Sequence, residues 1–122
     1  MGNRLDIGLV LAARLLIAAL FVGGAVQKAM DAAPAMALLG DWGLPAVLVW
    51  PALVFNGAVG VALIAGWQLR AVALAAGAYC AVTSLFHLQP DDPWQMSIFV
   101  KNWAIAGGCL ALAVCGGLRD RA

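Results

Sequence analysis

An all-α integral membrane fold, a bundle of four transmembrane helices, is expected from three features of this sequence. Of its 122 residues, 65% are apolar and only 11% are charged, whereas soluble domains hold nearer half apolar and about a quarter charged. The apolar residues gather in four runs, each close to the roughly twenty residues a helix needs to cross about 30 Å of hydrocarbon. The charges fall at the ends of those runs, with Arg14 the exception. A water-soluble chain this small has too much surface for its volume to hide so much hydrocarbon, and the mean hydropathy of +0.96 points the same way. The runs lack the alternation of barrel strands, and helices are the other way to satisfy backbone groups in lipid.

The first span is expected over about residues 7–29. A signal peptide would join a basic start, a short apolar core and a small-residue cleavage site. This run is longer, carries Arg14 in its middle and ends in Gln27-Lys28, so it reads as a retained helix. The link from Asp31 to Leu44 has room for a short interfacial helix at about residues 33–40, ending at Gly40, with Trp42 at headgroup level. The second and third spans are expected at about 45–65 and 69–88, joined through Gly66-Trp67-Gln68 as a helical hairpin. Gln89-Pro90-Asp91-Asp92-Pro93 then reads as a polar turn, because its prolines cannot continue a helix. The fourth span is expected at about 98–117, which makes residues 1–122 one membrane domain.

Arg4, Arg70, Arg119 and Arg121 fall on one side of this arrangement. Lys28 and Lys101, with Asp31, Asp41, Asp91 and Asp92, fall on the other. The positive-inside rule then places both termini in the cytoplasm. Gly23, Gly24, Gly57, Gly60, Gly107 and Gly108 are expected to let helices approach closely, as is a stripe of Ala104, Gly108, Ala111 and Cys115. Cys80, Cys109 and Cys115 form no CxxC pair and sit in apolar stretches, so they read as packing residues, with no metal site expected. A net charge of +1 without a basic run excludes a nucleic-acid partner.

Polar residues inside hydrocarbon need partners. Cys80, Thr83, Ser84 and His87 follow i, i+3, i+4, i+7 spacing and so share one face of the third span. Gln27 and Lys28 end the first span at the same level, and Lys101, Asn102 and Trp103 begin the fourth. Their convergence suggests an outer-facing pocket, although each has a plainer role: snorkelling for the lysines, helix C-capping for His87, back-bonding for Thr83 and Ser84, and interfacial anchoring for Trp94 and Trp103. Arg14 lies roughly 13 Å deep, about nine residues inside, and within about 40° of the face that carries Lys28. It is read either as a structural group bound to carbonyls and to Asn56 of the second span, or as a fixed positive charge beneath the pocket.

The order of these features resembles the DoxX family. Arg14 in the first span is followed by Gly23-Gly24-Ala25-Val26-Gln27-Lys28, then Phe86-His87, then Lys101-Asn102-Trp103-Ala104-Ile105-Ala106-Gly107-Gly108. The resemblance implies a small four-helix protein of a bacterial or archaeal cytoplasmic (inner) membrane, with a quinone-linked redox or respiratory accessory role. It sets Arg14, Lys28, His87, Lys101 and Asn102 on matching positions. Asn56 stands where a Glu is expected in many relatives, so a proton relay through this position is not expected here.

The first functional expectation is therefore a membrane subunit that binds a quinone-like or lipid head group in its outer half. His87 with Lys28 or Lys101 would bond the head-group oxygens, aided by Gln27, Asn102, Arg14 and Asn56, and Trp103 would stack on the ring. No intrinsic cofactor is expected, since the chain has one His and no cysteine set for an iron–sulfur cluster. Any electrons would come from other membrane or redox subunits, and a homo-oligomer is an alternative partner. A purely structural or assembly subunit is the second expectation. A small transporter ranks last, because no carboxylate lies within the spans to couple protons.

Overall fold

The helices start and stop where local chemistry requires. Asn3 caps the first, its Oδ1 accepting from the Asp6 N–H at 2.7 Å, which satisfies one of the donors a helix start leaves orphaned. Helix α1 then spans Arg4–Met30 and ends at extended Asp31. A short helix α2 spans Ala33–Asp41, with Pro34 in its first turn. After left-handed Gly43, a 3-10 turn at Ala46–Leu48 leads into α3, Val49–Ala65. Gly66 and Gln68 both take positive φ in the link to α4, Leu69–Ser84, which tightens into a 3-10 turn at Leu85–His87. Asp92 then caps α5, Pro93–Arg121, its Oδ1 accepting from the N–H groups of Trp94 and Gln95.

The computed structural model describes residues 3–121, the side chains of 119–121 excepted, so Arg119 and Arg121, placed above on the cytoplasmic side, lie outside the described side chains. Four helical segments are long and apolar enough to cross a membrane: Arg4–Met30, Ala46–Ala65, Leu69–His87 and Pro93–Leu118. The fold is all-α, with no strand among the described residues. The last helix starts earlier than residue 98 because Asp92 and Pro93 make a strong helix start, adding a polar first turn ahead of the apolar run.

The tight link joins α3 and α4 as antiparallel neighbours, but the main packing lies between other helices. The most extensive contacts join α1 to α3 and α4 to α5, while α3 and α4, though linked by three residues, touch sparingly. Close approach explains the choice. A Cβ on Gly60 of α3 would lie 2.5 Å from Val22 Cγ2 and 3.2 Å from the Val22 backbone N of α1. A Cβ on Gly77 of α4 would lie 3.2 Å from Cys109 Cβ of α5, and one on Gly116 of α5 would lie 2.7 Å from the Arg70 backbone N. A side chain at Gly116 would strike backbone, and one at Gly60 or Gly77 would require its neighbour to shift. Gly23 and Gly107, by contrast, have nothing within 4 Å, and Ala104, Gly108 and Ala111 are exposed, so the small-residue stripe expected on α5 does not lie at its main contact. The buried face there is Ala106, Cys109, Leu112, Ala113 and Gly116.

These contacts also fix the ends of the bundle. Gly116 lies beside Arg70 and Arg14 beside Leu63. The start of α1, the end of α3, the start of α4 and the end of α5 therefore share one end, called here the terminal end. The opposite, far end carries α2 and the turn at Leu85–His87. Trp42 at the end of α2 meets Phe86 of that turn edge-on, with ring centroids 5.6 Å apart.

Candidate ligand-binding site

An amide in the middle of an apolar helix needs a partner inside the bundle. Asn56 is that group on α3, only 3% exposed. Its Oδ1 accepts from Lys28 Nζ at 2.9 Å. Gly24, one turn before Lys28 on α1, leaves the room: a Cβ there would stand 3.4 Å from Asn56 Oδ1 and 3.8 Å from Lys28 Nζ. Lys28 is thus drawn into the bundle.

Around this pair is a cavity of about 370 Å³, within the range of small-molecule sites. Leu20, Phe21, Gly24, Gln27, Lys28 and Asp31 of α1 line it, together with Pro34, Ala35 and Leu38 of α2, which crosses above. Tyr79, Cys80, Thr83 and His87 form the α4 side, and Trp94, Gln95, Ile98, Lys101 and Asn102 form the α5 side. Two hydroxyls are already engaged in their own helix: Thr83 Oγ1 donates to the Tyr79 carbonyl at 2.7 Å, and buried Ser84 Oγ donates to that of Ala81 at 2.6 Å. His87 Nδ1 and Gln95 Oε1 are hydrogen-bonded at 2.6 Å across the turn between α4 and α5. Asp31 Oδ1 accepts from the Ala33 N–H at 3.3 Å, at the start of α2. An ammonium carries three donors and no acceptor, so Lys28 keeps two N–H groups beyond its bond to Asn56. With Lys101, Gln27 and Asn102 beside it, the cavity is rich in hydrogen-bond donors.

Six of the eight residues expected to hold the head group, Gln27, Lys28, Asn56, His87, Lys101 and Asn102, line this one cavity. Two lie elsewhere. Trp103 is half-exposed and packs edge-on against Phe99, with centroids 6.3 Å apart. Arg14 donates from Nε to the Leu63 carbonyl at 2.9 Å and from Nη2 to that of Ile64 at 2.7 Å. Those carbonyls lie about 10 Å along α3 from Asn56, at 1.5 Å per residue. Arg14 therefore binds carbonyls, as its structural reading expects, but Asn56 is bonded to Lys28 instead.

Tyr79, Gln95, Asp31 and the residues of α2 were not singled out. A signal existed for two of them. Tyr79 precedes Thr83 and His87 at i, i+4, i+8, and Gln95 precedes Ile98 and Asn102 at i, i+3, i+7, so both extend faces already noticed. Among the described residues, no group of three His, Cys, Asp or Glu side chains is placed to hold a metal ion.

The family model described as DoxX matches residues 9–89. The match stops ahead of Lys101–Gly108, one of the segments on which the resemblance rests. Inner membrane protein YqjF of Escherichia coli (strain K12) is 30% identical over 112 residues, covering 91% of this chain and 85% of that protein. No solved structure matches the chain.

Proposed function

The chain belongs to the DoxX family of membrane proteins, and we propose that it serves in the inner membrane as an accessory subunit of a quinone-linked redox or respiratory complex. In this reading the far-end cavity holds a quinone-like or lipid head group by its oxygen atoms. The observation that carries it is the Lys28–Asn56 bond. A lysine near a helix end ordinarily snorkels toward the headgroups. Here Nζ is tied instead to a carbonyl oxygen of a side chain that is 3% exposed, and two ammonium donors are left for a ligand.

A ring with two carbonyl oxygens suits such a lining. Lys28 and Lys101 supply charged donors, Asn102 supplies a neutral one, and Phe21 and Tyr79 supply apolar wall, with His87 held beside them by Gln95. Trp103 has no part in this reading. Electrons would pass between the bound ring and a partner subunit, since one His and three Cys do not make a haem ligand pair or an iron–sulfur set in a single chain. Two apolar grooves, between α1 and α5 and between α3 and α4, favour a second reading, in which the protein acts only by docking against other membrane helices.

The test is purification in mild detergent, followed by extraction and chromatography of bound lipids. Quinone should be recovered with the native protein and reduced by His87→Ala, Lys101→Ala and Asn56→Leu, because a hydrogen bond to a charged group contributes about 1.5–3 kcal/mol. Recovery of none, with a respiratory complex copurifying regardless of those substitutions, would favour the docking reading instead.

A further inference from the structure

The polar cavity adjoins a second one under α2. This smaller space, about 160 Å³, is lined by Leu39, Leu48, Val49, Ala52 and Phe86 in addition to side chains it shares with the larger cavity. The shared residues include Lys28, Tyr79, Thr83 and His87, so the two spaces meet at the donor groups of the proposed head-group site. Beyond that junction the chemistry changes abruptly. Asn56, Lys101 and Asn102 line the larger cavity alone, and the side chains peculiar to the smaller one are all hydrocarbon.

We infer, resting on the head-group reading above, that the ligand is an amphiphile with a compact apolar arm, and that this arm lies under α2 with Ala52 and Leu39 setting its permitted size. The volume is close to that of a cavity of about 150 Å³ that accepts a single benzene ring. One ring or one short branched unit fills it, and because the space is open on one side the rest of a longer chain must leave through that opening. For a ligand drawn from the bilayer, the compartment selects by shape rather than by the hydrophobic effect, because lipid tails are as apolar as leucine. A fitting arm makes contacts at the density of a packed interior, whereas an oversized one must strain its surroundings or leave.

The probes are three quinone rings bearing no side chain, a single prenyl unit, or a decyl chain. Binding is followed by quenching of tryptophan fluorescence in lipid nanodiscs, Trp94 being part of the cavity lining. The native protein should bind the prenyl ring more tightly than the armless ring. Ala52→Phe should weaken the prenyl ring by about tenfold or more, the usual scale of overpacking, and leave the armless ring unchanged. Leu39→Ala, which enlarges the compartment, should shift preference toward the decyl ring and so guards against a misfolded Ala52→Phe. Equal losses for prenyl and armless rings in Ala52→Phe, or native preferences indifferent to the arm, would overturn the inference while leaving the head-group site standing. Failure of the native protein to bind any of the three rings would overturn the head-group reading, and this inference with it.

Discussion

Replacing Arg14 by alanine should cost on the order of 3 kcal/mol of stability and leave ligand retention at the far end unchanged. The magnitude follows from the end of α3. A helix leaves its last four carbonyls without helical partners. Ala62 O is satisfied by the N–H groups of Gly66 and Trp67, and Leu63 O and Ile64 O by Arg14 at 2.9 and 2.7 Å. Each bond from a charged donor contributes about 1.5–3 kcal/mol, and a cation at a helix C-terminus adds about 0.3–1 kcal/mol. The bond to Ile64 is exposed, which argues for the lower end, about 3 kcal/mol in all. Arg14→Lys keeps the charge but loses the planar fork that reaches two carbonyls, so it should recover about half. The assay is heating in mild detergent, with folded protein measured by gel filtration. At about 4–8 °C per kcal/mol for a chain of roughly this size, Arg14→Ala should lower Tm by more than ~10 °C. A Tm within ~2 °C of native would refute the capping argument. Loss of bound ligand at unchanged Tm would place the guanidinium's role in the cavity.

Gly60→Ala should destabilise the protein by about 1–3 kcal/mol through overpacking against Val22, whereas Gly107→Ala, with nothing within 4 Å, should stay within about 0.5 kcal/mol of native; the same thermal assay compares them. Both termini are expected in the cytoplasm from the placement of Arg4 and Arg70 against Asp31, Asp41, Asp91 and Asp92. Fusions of alkaline phosphatase and of a fluorescent protein to the C-terminus test this, and an active phosphatase would contradict it.

The spans were legible in the sequence because lipid leaves few options: a long apolar run with charged ends must be a helix. The polar face of α4 was legible for the same reason, and its Cys80, Thr83 and His87 do face the cavity. Helix rotation and pairing were not legible. They depend on which glycines touch a neighbour, and nothing in the sequence distinguishes Gly60, Gly77 and Gly116 from Gly23 and Gly107. Arg14 shows the same limit. Its depth demanded acceptors, but backbone carbonyls carry no sequence signature, so the sequence could not say which carbonyls it would reach or that Asn56 would go to Lys28 instead. Trp103 follows Asn102 directly, and a single residue of helix rotation, about 100°, carries it out of the cavity.

The division of the bundle into α1–α3 and α4–α5 pairs has a consequence for how the protein is made. Chains emerge from the ribosome N-terminus first and fold in that order. By the time α3 has been synthesised, the Arg14 clamp and the Lys28–Asn56 bond can both form, since their partners are complete within the first 64 residues. The wall that bears Lys101 and Asn102 arrives only with α5. The first pair can thus be clamped before the far-end cavity is complete, with Lys28 bonded to Asn56 alone until the second pair docks.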